Sequence, residues 1–156
     1  MIIDAQERDW PRIEDVAAKA AVLSDEEAHA LEAVWEEYLD LGPEDSGYTF
    51  LIDQEGEAIR GFVCYGPRDL TDGVCDLYYL VVDTDARRQS VGRRLLKAAE
   101  AEACDAGARM MLAEISSGAR HQPMAALLMS AGYQAEAAIR DFYAVGEDLA
   151  IMVKRF

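Results

Sequence analysis

The chain has 156 residues, enough for one domain with a proper core, and its 51% hydrophobic, 29% charged composition excludes a disordered chain. A net charge of −15 argues against nucleic-acid binding, because phosphates would be repelled over most of the surface; it suits cationic acceptors and general solubility equally well. No apolar run approaches the ~20 residues of a membrane span, and Asp4, Glu7 and Asp9 stand where a signal peptide needs a basic start, so a cytoplasmic protein without membrane contact is expected.

In chain order, a short strand within residues 1–9 precedes a helix over Trp10–Ala21, with Pro11 in its first turn. Ser24 and Glu27 form a capping box that opens a second helix running to about Leu41, where Gly42 and Pro43 stop it. Tyr48–Ile52 and Ala58–Tyr65 are strand-like, joined by the polar turn Asp53–Glu57. After a loop over 66–73 comes Val74–Val82, apolar on both faces except at Asp76, as a central strand should be. A polar loop, Asp83–Gln89, leads to an amphipathic helix over Ser90–Ala106 that Gly107 ends. Met110–Ile115 is a buried strand reached through that helix, so it should pair in parallel with Val74–Val82. A helix over Pro123–Ala131 and strands at Tyr133–Phe142 and Leu149–Lys154 complete the order, giving one mixed α/β (α+β) domain over residues 1–156. Cys64, Cys75 and Cys104 have no metal-ligand spacing and lie in apolar sequence; they read as reduced core thiols, and no metal site is expected.

Charge is unevenly distributed. Five of the 15 cations fall between Arg87 and Lys97, a window without a single acid. That window joins a strand to a helix start, where unpaired N–H groups and the helix dipole attract anions. Gly92 would let the backbone approach phosphate oxygens, and Arg88, Arg93 and Lys97 would add charge. The spacing is neither that of an ATP-binding P-loop nor that of a dinucleotide fingerprint.

At these residues the sequence resembles the GNAT superfamily of acyl-CoA N-acyltransferases. The family signature is Arg or Gln, two residues, Gly, one residue, then Gly or Ala. Arg87, Ser90 and Gly92 occupy its marked positions, and Leu77–Asp83, Gly92–Glu100 and Ala125–Tyr133 match its flanks. The resemblance implies a central mixed sheet with a parallel strand pair splayed around CoA and helices on both faces. It implies acetyl-CoA as cosubstrate, with the pyrophosphate on Arg87, Arg88, Gln89, Ser90, Val91 and Gly92, and with Arg93 and Lys97 nearby. The backbone of Leu80, Val81 and Val82 would meet the pantetheine arm, and the N–H of Val81 or Val82 would stabilise the oxyanion. Ser90 departs from the family glycine: its hydroxyl could donate to a phosphate, or its Cβ could push the loop away.

The implied reaction is direct attack of a primary amine on the thioester in a ternary complex. The amine, with a pKa of about 10, must lose a proton. Glu114, an acid amid apolar residues, and Asp76, which interrupts the other parallel strand, are the candidate bases; burial would raise the pKa of Glu114 into a useful range. His121 is a further titratable group, whereas His29 has no assigned role. Many family members carry a proton-donating tyrosine where this chain has Leu128, so Tyr143 is the candidate acid, unless the thiolate leaves unaided. The acceptor is expected to be a small-molecule amine or an amino-acid-like compound, with a second copy of the chain as a candidate partner. Acetylation of a protein lysine or N-terminus, and a non-catalytic CoA sensor, are the alternatives.

Overall fold

A computed structural model describes residues 1–156. Its elements are β1 (Ile2–Asp4), α1 (Trp10–Ala20), α2 (Asp25–Ser46), β2 (Thr49–Glu55), β3 (Ala58–Pro67), β4 (Val74–Val82), α3 (Val91–Asp105), β5 (Met110–Ser116), α4 (Gln122–Ser130), β6 (Gln134–Ala144) and β7 (Glu147–Arg155). Local chemistry sets the helix ends. The Glu27 N–H donates to Ser24 Oγ at 3.1 Å and the Ser24 N–H donates to Glu27 Oε2 at 2.6 Å, closing the capping box. Gly42, at φ 76° and ψ 171°, breaks α2 where the sequence suggested, and Pro43 begins one further turn. No helix is long and apolar enough to cross a membrane.

Strand alternation divides the core between two faces. Phe50, Ile52, Phe62 and Cys64 meet Ile13 and Val16 of α1 and Leu31 and Trp35 of α2. On the opposite face, Leu51, Val63, Cys75, Leu77 and Met111 lie beneath Val91, Leu95, Leu96 and Ala99 of α3 and Leu128 of α4. Fully burying each of the larger side chains contributes about 1.5–3 kcal/mol. Cys104, expected in the core, is exposed. The buried stripe of α3 passes through Val91, Leu95, Leu96, Ala99 and Ala103, and position 104 falls off it.

The sheet order is β1-β2-β3-β4-β5-β7-β6, and the expected parallel pair is β4–β5. That pair has three partners: Val74↔Met110, Cys75↔Met111 and Asp76↔Leu112. Beyond them the strands part. β4 carries a bulge at Tyr78, since Cys64 pairs with Tyr79 while Tyr65 pairs with Leu77. β5 instead pairs along its whole length with β7. The outer strand, β6, is exposed at every residue.

Asp53 differs from expectation. It was expected in a turn, but it lies within β2 with a side chain 0% exposed. Arg60 Nη2 donates to its Oδ1 at 2.8 Å, and Arg94 Nε and Nη2 donate to its Oδ2 at 3.1 and 2.6 Å. Two guanidinium groups make this burial tolerable.

Candidate active site

The parting of β4 and β5 opens a cleft of about 1040 Å³. Leu77–Val82 form one wall and Ala113–Ser116 the other; the start of α3 closes one end, and Glu27, Tyr143 and Glu147 lie among the remaining lining residues. Leu80, Val81 and Val82 all line it, and from Leu77 onward β4 has no pairing partner on β5.

At the α3 end, Arg88 and Ser90 both adopt left-handed backbone, with φ of 63° and 59°. This conformation costs a non-glycine residue about 1–2 kcal/mol, which explains why the signature prefers glycine where Ser90 stands. The surroundings hold the loop in place. Arg87 Nη2 donates to the Ala20 carbonyl at 3.2 Å, Gln89 Nε2 to the Asp85 carbonyl at 3.3 Å, and Arg94 Nη1 to the Gln89 carbonyl at 2.7 Å. The first helical bond runs from the Arg94 N–H to the Ser90 carbonyl at 3.0 Å, so the N–H groups of Val91, Gly92 and Arg93 precede it.

Among the residues expected around a pyrophosphate, Arg87, Arg88, Ser90, Val91, Gly92 and Arg93 line the cleft, whereas Gln89 and Lys97 do not. Arg93 Nη2 donates to Ser130 Oγ at 2.7 Å. Gly92 also has a packing role. A Cβ there would lie 3.1 Å from Leu127 Cδ2 and 3.3 Å from Val82 Cγ2, so its absence lets α3 sit against α4 and β4 at the cleft wall.

The two candidate bases lie in different environments. Glu114 lines the cleft but is 48% exposed, so the burial expected for it is absent. Asp76 is the buried acid and does not line the cleft. Arg68 joins them, with Nε 3.2 Å from Asp76 Oδ2 and Nη2 3.5 Å from Glu114 Oε1. Burial raises the Asp76 pKa above its ordinary value; Arg68 opposes this and the Glu114 charge adds to it.

Tyr143 lines the cleft from β6, where the β6–β7 register breaks between Ile139 and Ala144. Asp141 takes a left-handed φ of 54°; its N–H donates to Asp148 Oδ1 at 3.0 Å and its Oδ1 accepts from the Gly146 N–H at 2.8 Å. That irregularity re-aims the tyrosine. Partial burial, then the charges of Glu114 and Glu27, raise its pKa, so the phenol keeps its proton through the neutral range. Leu128 is fully buried in the core and does not reach the cleft. His121 and Arg120 also line the cleft, with Arg120 Nε donating to His121 Nε2 at 3.3 Å.

Sequence reasoning missed Arg68, Glu27 and Glu147 as site residues, and it missed Arg94 as a partner of the loop. Glu27 carried a visible capping signature that hid its second placement. Arg68 and Glu147 lie in loop and hairpin sequence with no periodic signal.

Residues 4–133 match the model of the acetyltransferase (GNAT) family. The chain belongs to that family. A crystal structure of a Desulfovibrio desulfuricans protein assigned to the GNAT acetyltransferases superposes with a TM-score of 0.94 at 28% identity, covering 99% of this chain and 98% of that one. An assigned acetyltransferase from Salmonella typhimurium, solved with its cofactor acetyl-CoA, gives 0.78 at 21% identity over 99% and 92%. The ribosomal-protein-alanine N-acetyltransferase of Brucella melitensis gives 0.77 at 22% identity over 100% and 99%. No curated protein matches the sequence. Acetyl-CoA is the cosubstrate that accompanies this GNAT fold, and the site fits it: a long cleft has a cationic helix start at one end and unpaired strand backbone along one wall.

Proposed function

We propose that this GNAT protein moves an acetyl group from acetyl-CoA to a primary amine of a small cationic or amino-acid-like acceptor, with both bound together. The observation that carries this reading is the continuity of the cleft. One cavity runs from the helix start at Ser90–Arg93 to Glu114 and Tyr143, so donor and acceptor can meet within it. Arg87, Arg88 and the first N–H groups of α3 hold the pyrophosphate, and Arg93 and Lys97 serve the 3′-phosphate. Leu80–Val82 orient the pantetheine arm by backbone, and the N–H of Val82, which the antiparallel register turns away from β3, faces the thioester oxygen. Glu114 takes the amine proton, directly or through water, with Arg68 and Asp76 behind it; Asp76 is the alternative base. Tyr143 gives its proton to the departing sulfur. Glu27, Glu114 and Glu147 suit a cationic acceptor, and Arg120 on the same cleft suits an acceptor that also carries a carboxylate.

The test is thiol release from acetyl-CoA with a panel of amines, amino acids and lysine- or N-terminal-containing peptides, with products identified by mass spectrometry. Turnover on small amines supports the proposal. Turnover confined to peptides moves the acceptor to proteins, and CoA binding without turnover on any acceptor makes the chain a sensor.

A further inference from the structure

The five cations between Arg87 and Lys97 do not all serve the cleft, and Arg94 turns away from it. Its Nε and Nη2 grip Oδ2 of the fully buried Asp53 at 3.1 and 2.6 Å, while Arg60 Nη2 takes Oδ1 at 2.8 Å. Fixed in this way, the planar fork reaches with its remaining nitrogen, Nη1, to the Gln89 carbonyl at 2.7 Å. Gln89 stands between the two left-handed residues Arg88 and Ser90. Its carbonyl belongs to the peptide that links it to Ser90, and the orientation of that planar unit is set by ψ of Gln89 and φ of Ser90. Holding the oxygen toward Arg94 therefore restrains the strained φ of Ser90 and aims the Ser90 N–H in the opposite direction, away from Arg94.

We propose that Arg94, anchored on Asp53, is a positioning residue for the pyrophosphate loop. It keeps Ser90 left-handed, so that the N–H groups opening α3 stay presented to the pyrophosphate of acetyl-CoA. The inference rests on the acetyl-CoA assignment, and CoA binding by the wild-type protein is the control that separates the two. The experiment is calorimetry with CoA and with dephospho-CoA on Arg94→Gln and on Arg94→Gln combined with Ser90→Gly, with thermal melts of each protein without ligand. Arg94→Gln should weaken both ligands by the same factor, about 10-fold or more, on the scale of one charge-assisted hydrogen bond. Ser90→Gly should recover most of that loss, because glycine adopts the left-handed backbone without restraint. Arg94→Lys keeps charge against Asp53 but has one nitrogen in place of the fork, so it should show the same equal loss with a smaller effect on the melt. It stands in if the glutamine variant does not fold. Wild-type affinity in Arg94→Gln or in Arg94→Lys overturns the proposal. So does a larger loss for CoA than for dephospho-CoA, which would put Arg94 on the 3′-phosphate, and so does a loss that Ser90→Gly leaves untouched.

Discussion

Replacing Asp53 by Asn tests whether a buried carboxylate ties β2 to β3 and α3. Asn keeps the shape, but it removes the charge and turns an amide donor toward a guanidinium. Hydrogen bonds to charged groups contribute about 1.5–3 kcal/mol each, and breaking a buried pair costs about 3–5 kcal/mol. The Arg60 and Arg94 side chains are 19% and 41% exposed, so water recovers part of the loss. The expected destabilisation is therefore ~2–4 kcal/mol, or roughly 6–12 °C in Tm for a chain of this length. The effect should depend on pH with a definite sign. Burial alone would raise the Asp53 pKa, but the hydrogen bonds and charges of Arg60 and Arg94 outweigh it and hold it below the ordinary 3.8. Such a group stabilises the fold above its unfolded pKa, and that stabilisation is lost as pH falls through the folded pKa. Melts followed by circular dichroism should thus show the full gap between wild type and Asp53→Asn at neutral pH, closing below pH 3.8. A gap under about 2 °C at neutral pH, or one that stays constant into acid, would refute the reasoning.

Gly92→Asp should abolish CoA binding measured by calorimetry, because its Cβ meets Leu127 and Val82 and its charge repels the pyrophosphate; wild-type affinity in a folded variant sinks the placement. Glu114→Gln should lower turnover by about 10²–10⁴-fold near neutral pH, with the loss shrinking as pH rises toward the amine pKa. A wild-type rate across the pH profile returns the proton to Asp76 or to water. Tyr143→Phe should lower turnover while leaving CoA affinity close to wild type; unchanged steady-state rates would make the tyrosine a wall of the cleft. Leu128→Tyr should not supply a replacement acid, since a fully buried leucine leaves no room, and overpacking should cost about 1–3 kcal/mol in urea melts.

The parallel crossover and the start of α3 were legible because both rest on local signals. An apolar run, a cationic loop and a helix start with its glycine lie within residues 74–97, and the β4–α3–β5 order dictates the pairing. The acids were not legible in the same way. Strand alternation assigns Asp76 and Glu114 a face, but the depth of each depends on where β4 and β5 part, and that follows from pairing after Asp76 and from the bulge at Tyr78. Asp53 read as a turn because Asp-Gln-Glu-Gly-Glu is polar throughout; its burial depends on Arg94, 41 residues away in sequence. The aim of Tyr143 likewise hangs on the left-handed Asp141, a position that composition does not mark.

The short parallel ladder also bears on how the molecule fluctuates. Three rungs join the half-sheet β1–β4 to the half-sheet β5–β7, and each half has its own continuous ladder behind it. Cooperative opening need break little backbone bonding at that seam, so amides facing it belong to the less protected part of the fold. A ligand that bonds to the unpaired run of β4 takes the place of the missing rungs and couples the halves. Occupancy of the cleft would then be written in the amide exchange of Leu80 and Val82, well before any chemistry takes place.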